Sequence, residues 1–328
     1  MEKLLEISDL NINFGSTIDP IRAVRGLNLS VGAGEIVALV GESGCGKSLS
    51  ALAVMKLIPQ TARATGNIRY NGTELLAAPD SVIRSIRGKE IAMVFQEPMT
   101  SLNPAFTVGD QIAETLRLHL KLSRAEASKR AVDLLAKVRI AAPEQRAKAY
   151  PHQLSGGMRQ RVMIAIALSC NPKFLILDEP TTALDVTTQA QVLEIVRELR
   201  SESDTGVLLI THDLGVVADL ADRVVVMYAG SPVERAEVGD LFEYPSHPYT
   251  NGLLNAVPKR SDGIRRKLED IAGTVPVVRS EPDRCVFADR CGYASADCLE
   301  GEPQMADISE GHQVACLHPL HRDAGVLN

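Results

Sequence analysis

No stretch of the sequence approaches the roughly 18 consecutive apolar residues that a membrane-crossing helix requires, so any membrane association has to come through another subunit. The N-terminal segment also lacks the uninterrupted apolar run of a signal peptide, because Glu2, Glu6 and Asp9 interrupt it, and the chain is expected to stay in the cytosol. There is no excess of positive charge: 35 Lys and Arg against 41 Asp and Glu give a net charge of −6. That excludes a broad field for holding a phosphate backbone and makes nucleic acid a poor main partner. Tryptophan is absent and aromatics make up 4%, yet 45% hydrophobic against 23% charged residues is the balance of a folded protein rather than a disordered one. Internal repeats and low-complexity tracts are missing as well. At 328 residues the chain is longer than an average domain, which predicts a main domain with an appendage.

Short β-rich apolar runs recur at Ile36 to Val40, Phe174 to Leu177, Val207 to Ile210 and Val224 to Met227. Unbroken runs of this kind suit strands buried on both faces of a mainly parallel sheet. Between them, Ser123 with Glu126 forms a capping box ahead of Ala127, Ala131, Leu134, Leu135 and Val138, and the segment from about Val108 to Ala141 is predicted helical. It separates early strands from late ones, as a helical subdomain inserted into an α/β core would. After Tyr228, Pro232, Pro245, Pro248, Pro258, Pro276 and Pro282 break the chain at short intervals, which places a boundary near residue 231. The remainder is loop-rich and is expected to need a crosslink or a metal.

Gly41-Glu42-Ser43-Gly44-Cys45-Gly46-Lys47-Ser48 fits the phosphate-loop spacing, follows the strand Ile36 to Val40 and leads into the helical pattern Ser50 to Leu57. Such a loop turns its N–H groups toward β- and γ-phosphate oxygens, with the positive end of a helix dipole behind them. Lys47 adds a mobile charge and the Ser48 hydroxyl can ligate Mg²⁺. The strand Phe174 to Leu177 ends in Asp178 and Glu179, the first suited to Mg²⁺ and the second to orienting and polarising an attacking water, although such a pair can also merely cap the next helix. Leu154-Ser155-Gly156-Gly157-Met158 puts a hydroxyl and N–H groups at a helix start, where an anion is well received.

These residues resemble the ATP-binding cassette transporter ATPases. Leu154 to Met158 resembles the family's signature, with Met158 where Gln is usual. Gln96 resembles the glutamine that reaches Mg²⁺ and the attacking water, Asp185 in Thr182-Ala183-Leu184-Asp185 the aspartate at the dimer seam, and His212 the switch histidine on the γ-phosphate. Phe14 resembles the aromatic residue that stacks on adenine, with core packing its alternative role. The resemblance covers about residues 4 to 230 and implies a cassette with a parallel-sheet core, an antiparallel β subdomain and an inserted helical subdomain at about residues 100–165. It also implies that two cassettes close head to tail, each ATP lying between one phosphate loop and the opposite signature.

Tyr244 to Thr250 with Leu253 and Leu254, Met99 to Pro104, and Tyr150 to Gln153 resemble the branch that serves oligopeptide and dipeptide importers, most nearly the first of the two paired ATPases of a bacterial dipeptide importer. What this implies is an ATP hydrolase on the cytoplasmic face of the inner membrane. Its partners would be a second, paralogous cassette, two transmembrane permeases and, indirectly, an external binding protein. The same branch carries nickel, haem and glutathione as alternative cargo.

Cys285, Cys291, Cys298 and Cys316 crowd into the C-terminal segment 231–328, where four thiolates suit zinc or an iron–sulfur cluster. The subfamily resemblance points to [4Fe–4S]; zinc and unligated thiols are the alternatives, and His312 and His318 are candidate replacement ligands. Cys45 is expected to point away from nucleotide, and Cys170 to be a small buried residue. Two other function classes compete. A soluble cassette ATPase of translation or repair is disfavoured by the single cassette and the lack of a long coiled-coil insertion. A metal-containing regulator that only binds ATP would not need both Glu179 and His212.

Overall fold

The computed structural model describes residues 3–16, 19–97, 101–182, 184–256 and 271–321. Along the chain, β1 (Lys3–Gly15), β2 (Pro20–Gly32) and β3 (Ile36–Val40) lead to α1 (Lys47–Val54). Next come β4 (Ala62–Tyr70), β5 (Thr73–Glu74), α2 (Asp80–Ile86) and β6 (Ile91–Val94). The helices α3 (Val108–Leu120), α4 (Arg124–Lys137), α5 (Pro143–Arg146) and α6 (Gly156–Leu168) follow. Then come β7 (Phe174–Asp178), α7 (Val186–Glu202), β8 (Gly206–Thr211), α8 (Leu214–Leu220) and β9 (Arg223–Tyr228). The C-terminal segment contributes β10 (Ser231–Glu237), α9 (Val238–Glu243), α10 (Pro248–Asn255), β11 (Ala306–Ser309) and β12 (His312–Val314).

Two compact units result, the first formed mainly by Val31–Glu35 and Ala77–Leu209, the second by Leu5–Ser30, Ile36–Leu76 and the chain from Ile210 onward. In the first, β6 and β7 pair in parallel from Ile91 opposite Phe174 to Val94 opposite Leu177. All five residues of β7 are buried, as the unbroken apolar run anticipates. The helices α3 to α6 are inserted between these two strands. The segment expected as one helical stretch is two helices, because Lys121 takes a left-handed φ of 57° at the end of α3 and the Ser123 capping box starts α4. In that box Ser123 Oγ accepts from Glu126 N at 3.3 Å, and the Glu126 carboxylate accepts from Ser123 N at 2.9 Å. Val108, Ile112 and Leu116 of α3 and Ala127, Ala131, Leu134 and Leu135 of α4 are the buried faces, at the spacing of amphipathic helices.

The second unit holds an antiparallel sheet in the order β2-β1-β4-β5. Its other strands begin with β3, all five residues buried, paired in parallel with β9. An antiparallel β10 continues from β9, and β12 and β11 continue from β10. The helical pattern read to Leu57 closes at Val54, with Lys56 at φ 50° turning the chain. Among the described residues, Tyr249, Leu254 and Phe287 of the cysteine-bearing segment are buried in one cluster with Val40, Val224, Val226 and Tyr228. Tyr228 meets Phe287 edge to face at 5.1 Å between centroids.

Candidate functional site

In the second unit, the loop after β3 is shaped by what lies behind it. A Cβ on Gly41 would come within 2.2 Å of the Met227 carbonyl oxygen, and one on Gly46 within 2.4 Å of that of Ala23. Their φ angles are 149° and 95°, so no larger residue fits either place. Gly44 has open space instead and serves through its φ of 83°. Lys47 is buried, and its Nζ donates to the carbonyls of Gly41 at 2.7 Å and Glu42 at 2.9 Å. Cys45 lies within, its Sγ 3.6 Å from Lys47 Nζ, and burial pushes its thiol pKa up, consistent with an inert packing role. Ser43 is exposed, and Ser48 is half-buried in the first turn of α1. Phe14 sits half-buried on β1 opposite Ala62, and His212 is exposed just past the end of β8.

The first unit carries the carboxylates and the signature. Asp178, the last residue of β7, is 4% exposed, and Glu179 follows with a left-handed φ of 48°. A carboxylate residue held in that region just past a strand end marks a constrained turn. The Glu179 carboxylate accepts from Gln96 Nε2 at 2.8 Å and from the Thr182 hydroxyl at 2.9 Å. The fold thus brings Gln96 and Glu179 into direct contact. Leu154 is buried, while Ser155 N-caps α6 by accepting from Met158 N at 3.3 Å. Ser155 and Gly156 are exposed and Gly157 and Met158 half-buried. Gly157 has a steric reason to be glycine, since its Cβ would lie 2.4 Å from Thr188 Cγ2. Thr188 is also the residue that fixes Asp185, which accepts from its N–H at 2.9 Å and its hydroxyl at 2.8 Å, bonds that hold the carboxyl below its usual range. Met99 and Thr100 of the segment Met99 to Pro104, Ala183 of the segment Thr182 to Asp185, and Pro258 lie outside the described residues.

All four C-terminal cysteines line one cavity of about 20 Å³, together with His247 and Phe287. Cys285 N donates to the Cys298 carbonyl at 2.9 Å. Burial raises the thiols of Cys285, Cys291 and Cys316, the last to about 11. Such thiols become thiolates only beside a positive centre. Among the described residues, Asp297, Cys298 and His318 are the set whose ligand atoms lie within 4.8 Å of one another. His312 is not a replacement ligand on its Nε2 side, which bonds the buried carboxylate of Glu234 at 2.8 Å. Hydrogen bonds from the Ser295 hydroxyl and then from His318, at 2.8 Å, hold the Asp297 carboxyl at about 2. Cys170, expected as a buried residue, is instead half-buried, its thiol near the Ser169 hydroxyl at 3.8 Å.

Three residues near these sites carried no assigned role in the sequence. Thr182 and Tyr249 lie inside motifs that drew attention for other reasons, whereas Arg290 has no local signal at all. Among the described residues no helix is long and apolar enough to cross a membrane.

Residues 24–182 match the family described as ABC transporter, and residues 233–298 match the family described as oligopeptide/dipeptide transporter, C-terminal region. The chain is 50% identical over 315 residues to the probable peptide ABC transporter ATP-binding protein y4tR of Sinorhizobium fredii, covering 95% of this chain and 94% of that protein. It is 50% identical over 327 residues to the oligopeptide transport ATP-binding protein AppD of Bacillus subtilis, covering 99% of each. Among solved structures, the dimeric post-hydrolysis state of the ATP-binding cassette MJ0796 bound to ADP and Pi superposes with a TM-score of 0.65 at 28% identity, over 71% of this chain and 98% of that one. With its phosphate loop, acidic strand end and signature in place, the chain belongs to the ATP-binding cassette transporter ATPases, in the branch that carries the oligopeptide/dipeptide transporter C-terminal region.

Proposed function

We propose that the chain is the ATP-binding and ATP-hydrolysing subunit of an importer that takes up dipeptides or oligopeptides across the cytoplasmic membrane. The observation that carries this reading is the union, in one chain, of the cassette and the C-terminal region shared with oligopeptide/dipeptide transporters. In this reading Lys47 and the N–H groups of residues 43–48 bind the β- and γ-phosphates, and Phe14 stacks on adenine. Ser48, Gln96 and Asp178 hold Mg²⁺, Glu179 polarises the attacking water, and His212 senses the γ-phosphate. The hydrogen bond from Gln96 to Glu179 supports the pairing of metal and water positioning.

Leu154 to Met158 face the ATP of a second, paralogous cassette, with Asp185 at the seam. The exposed N-terminus of α6 at Ser155 and Gly156 favours this, as does the likeness to a cassette solved as a dimer. Two permease subunits cross the membrane, an external binding protein delivers the peptide, and this chain sits at the cytoplasmic face. Cys285, Cys291, Cys298 and Cys316 hold a [4Fe–4S] cluster, which supplies the crosslink that a segment sharing another core needs. Zinc on four thiolates is the weaker choice, because it draws sulfurs to about 3.8 Å from one another. Here the set within 4.8 Å contains one cysteine.

Reconstitution with the permeases and binding protein in vesicles tests the reading. Labelled dipeptide uptake should be ATP-dependent and should stimulate hydrolysis, and Glu179→Gln should stop both. Stimulation by nickel, haem or glutathione with none by peptides would reassign the cargo. Brown, iron-containing protein from oxygen-free purification, bleached by Cys298→Ser, is the result expected for the cluster; colourless zinc protein contradicts it.

A further inference from the structure

Glu42, the second residue of the phosphate loop, is gripped from the C-terminal segment at both its main chain and its side chain. Its N–H donates to the Tyr249 hydroxyl at 2.9 Å. Its carboxylate accepts from Arg290 Nη1 at 2.8 Å and Nη2 at 3.0 Å. The Arg290 side chain is 5% exposed. Its other donors reach the carbonyls of Ala272 at 2.8 Å and Ile271 at 3.1 Å, and its guanidinium lies 5.6 Å from the centre of the Tyr228 ring. Tyr249 is fully buried, 4.8 Å from the Tyr228 ring and 5.5 Å from that of Phe287.

The geometry at Gly41 makes this more than packing. The carbonyl of Gly41 and the N–H of Glu42 belong to one planar peptide unit. That carbonyl holds Lys47 Nζ at 2.7 Å, while the N–H on its other side is the one bonded to Tyr249. Fixing one edge of the plane fixes the other, so the tyrosine hydroxyl orients the oxygen that places the lysine. Arg290 secures the side chain of the same residue, and the Glu42 carbonyl is the second oxygen on Lys47, at 2.9 Å. The guanidinium of this bidentate pair is buried and the carboxylate 31% exposed, so the pair adds little net stability, and its yield is a defined geometry. Arg290 directly precedes Cys291, so the fold of the four-cysteine segment sets where the guanidinium stands.

We propose that Tyr249 and Arg290 are positioning residues for ATP: through the Gly41–Glu42 peptide they set the place of Lys47, and the C-terminal segment thereby takes part in nucleotide binding. This rests on the reading of Lys47 as a triphosphate ligand. The full chain, with its segment and any metal intact, is titrated with MgATP, and KM and kcat are measured in the assembled transporter. Tyr249→Phe, which removes one oxygen and keeps the ring, should weaken MgATP binding about fivefold, the worth of one hydrogen bond, and raise KM equally with kcat within about twofold. Arg290→Met should weaken binding about tenfold or more, and Arg290→Lys should recover part of it. Wild-type affinity in folded Tyr249→Phe overturns the proposal, whether or not its nucleotide-free melting temperature falls, and it decides alone if the arginine variants fail to fold. Lys47→Ala separates the two readings. Unimpaired binding in that variant sinks the assignment of the loop itself, whereas a deficient Lys47→Ala beside a normal Tyr249→Phe sinks only the present inference.

Discussion

The phosphate loop and the signature are both proposed anion sites at helix starts, and their surroundings differ: one is braced on all sides and the other is open. Around the loop every constraint points inward: backbone oxygens behind Gly41 and Gly46, carbonyls on Lys47, and Tyr249 and Arg290 on Glu42. At the signature, only Gly157 is pressed from behind, by Thr188, while Gly156 has nothing within 4 Å of where a Cβ would stand. A preorganised loop binds its ligand without rearrangement, whereas an exposed helix start offers donors to something that arrives from outside. The difference fits a nucleotide bound first by the loop and covered afterwards by a second molecule's signature.

The largest effect should come from the carboxylate at Glu179, which follows both regions in sequence. Glu179→Gln keeps the bonding reach of the side chain but removes the base, so hydrolysis should fall at least about 100-fold with MgATP affinity nearly unchanged. Substantial remaining turnover in a purified complex would remove Glu179 from that role. Next, Gly46→Ala should cost nucleotide binding about as heavily as losing Lys47, because the methyl group meets a main-chain oxygen at 2.4 Å that cannot step aside. Near-normal binding there would show the loop to be less constrained than described.

At the signature the obstruction is a side chain, and this sharpens the contrast. Gly157→Ala should cost about 1–3 kcal/mol of stability and impair hydrolysis while leaving binding to the loop intact. Adding Thr188→Ser removes the methyl group at 2.4 Å and should restore part of both losses; no rescue would mean that Gly157 matters for another reason. The smallest effect concerns the buried polar network that supports α10. His247 is fully buried and its pKa is lowered to about 4, chiefly by burial, opposed by Glu234. Its folded pKa lies below the ordinary value of 6.5, so the unfolded chain takes up the proton first, and stability is lost as pH falls from about 6.5 to about 4. Chemical unfolding across that range should show a shallower slope in His247→Asn; an identical slope would place the titration elsewhere.

The local parts of this site were legible in the sequence because they are made by neighbours in the chain. The spacing of the phosphate loop, the cap at Ser155 and the strand ending in Asp178 all appear as short patterns. The same holds for the Ser123 capping box. By contrast, the oxygens that press on Gly41 and Gly46 belong to the distant Met227 and Ala23. The apolar pattern runs three residues past the end of α1, since Lys56 in a left-handed turn leaves no mark in it. Contacts between distant residues left less trace. Gly157 and Thr188 are joined only by folding, and Arg290 reaches Glu42 across 248 positions. An arginine beside a cysteine reads as surface charge, and nothing in its surroundings says which carboxylate it will meet. His312 likewise read as a spare metal ligand because its partner, Glu234, comes from another strand.

A structure of the assembled Glu179→Gln complex trapped with MgATP tests the central claim most directly, through the distance from Ser155, Gly156 and Gly157 to the γ-phosphate held at Lys47. The account predicts hydrogen-bond distances from the N–H groups and hydroxyl of the opposing cassette's signature. Signature residues remote from every γ-phosphate, or turned onto the nucleotide of their own chain, would contradict it.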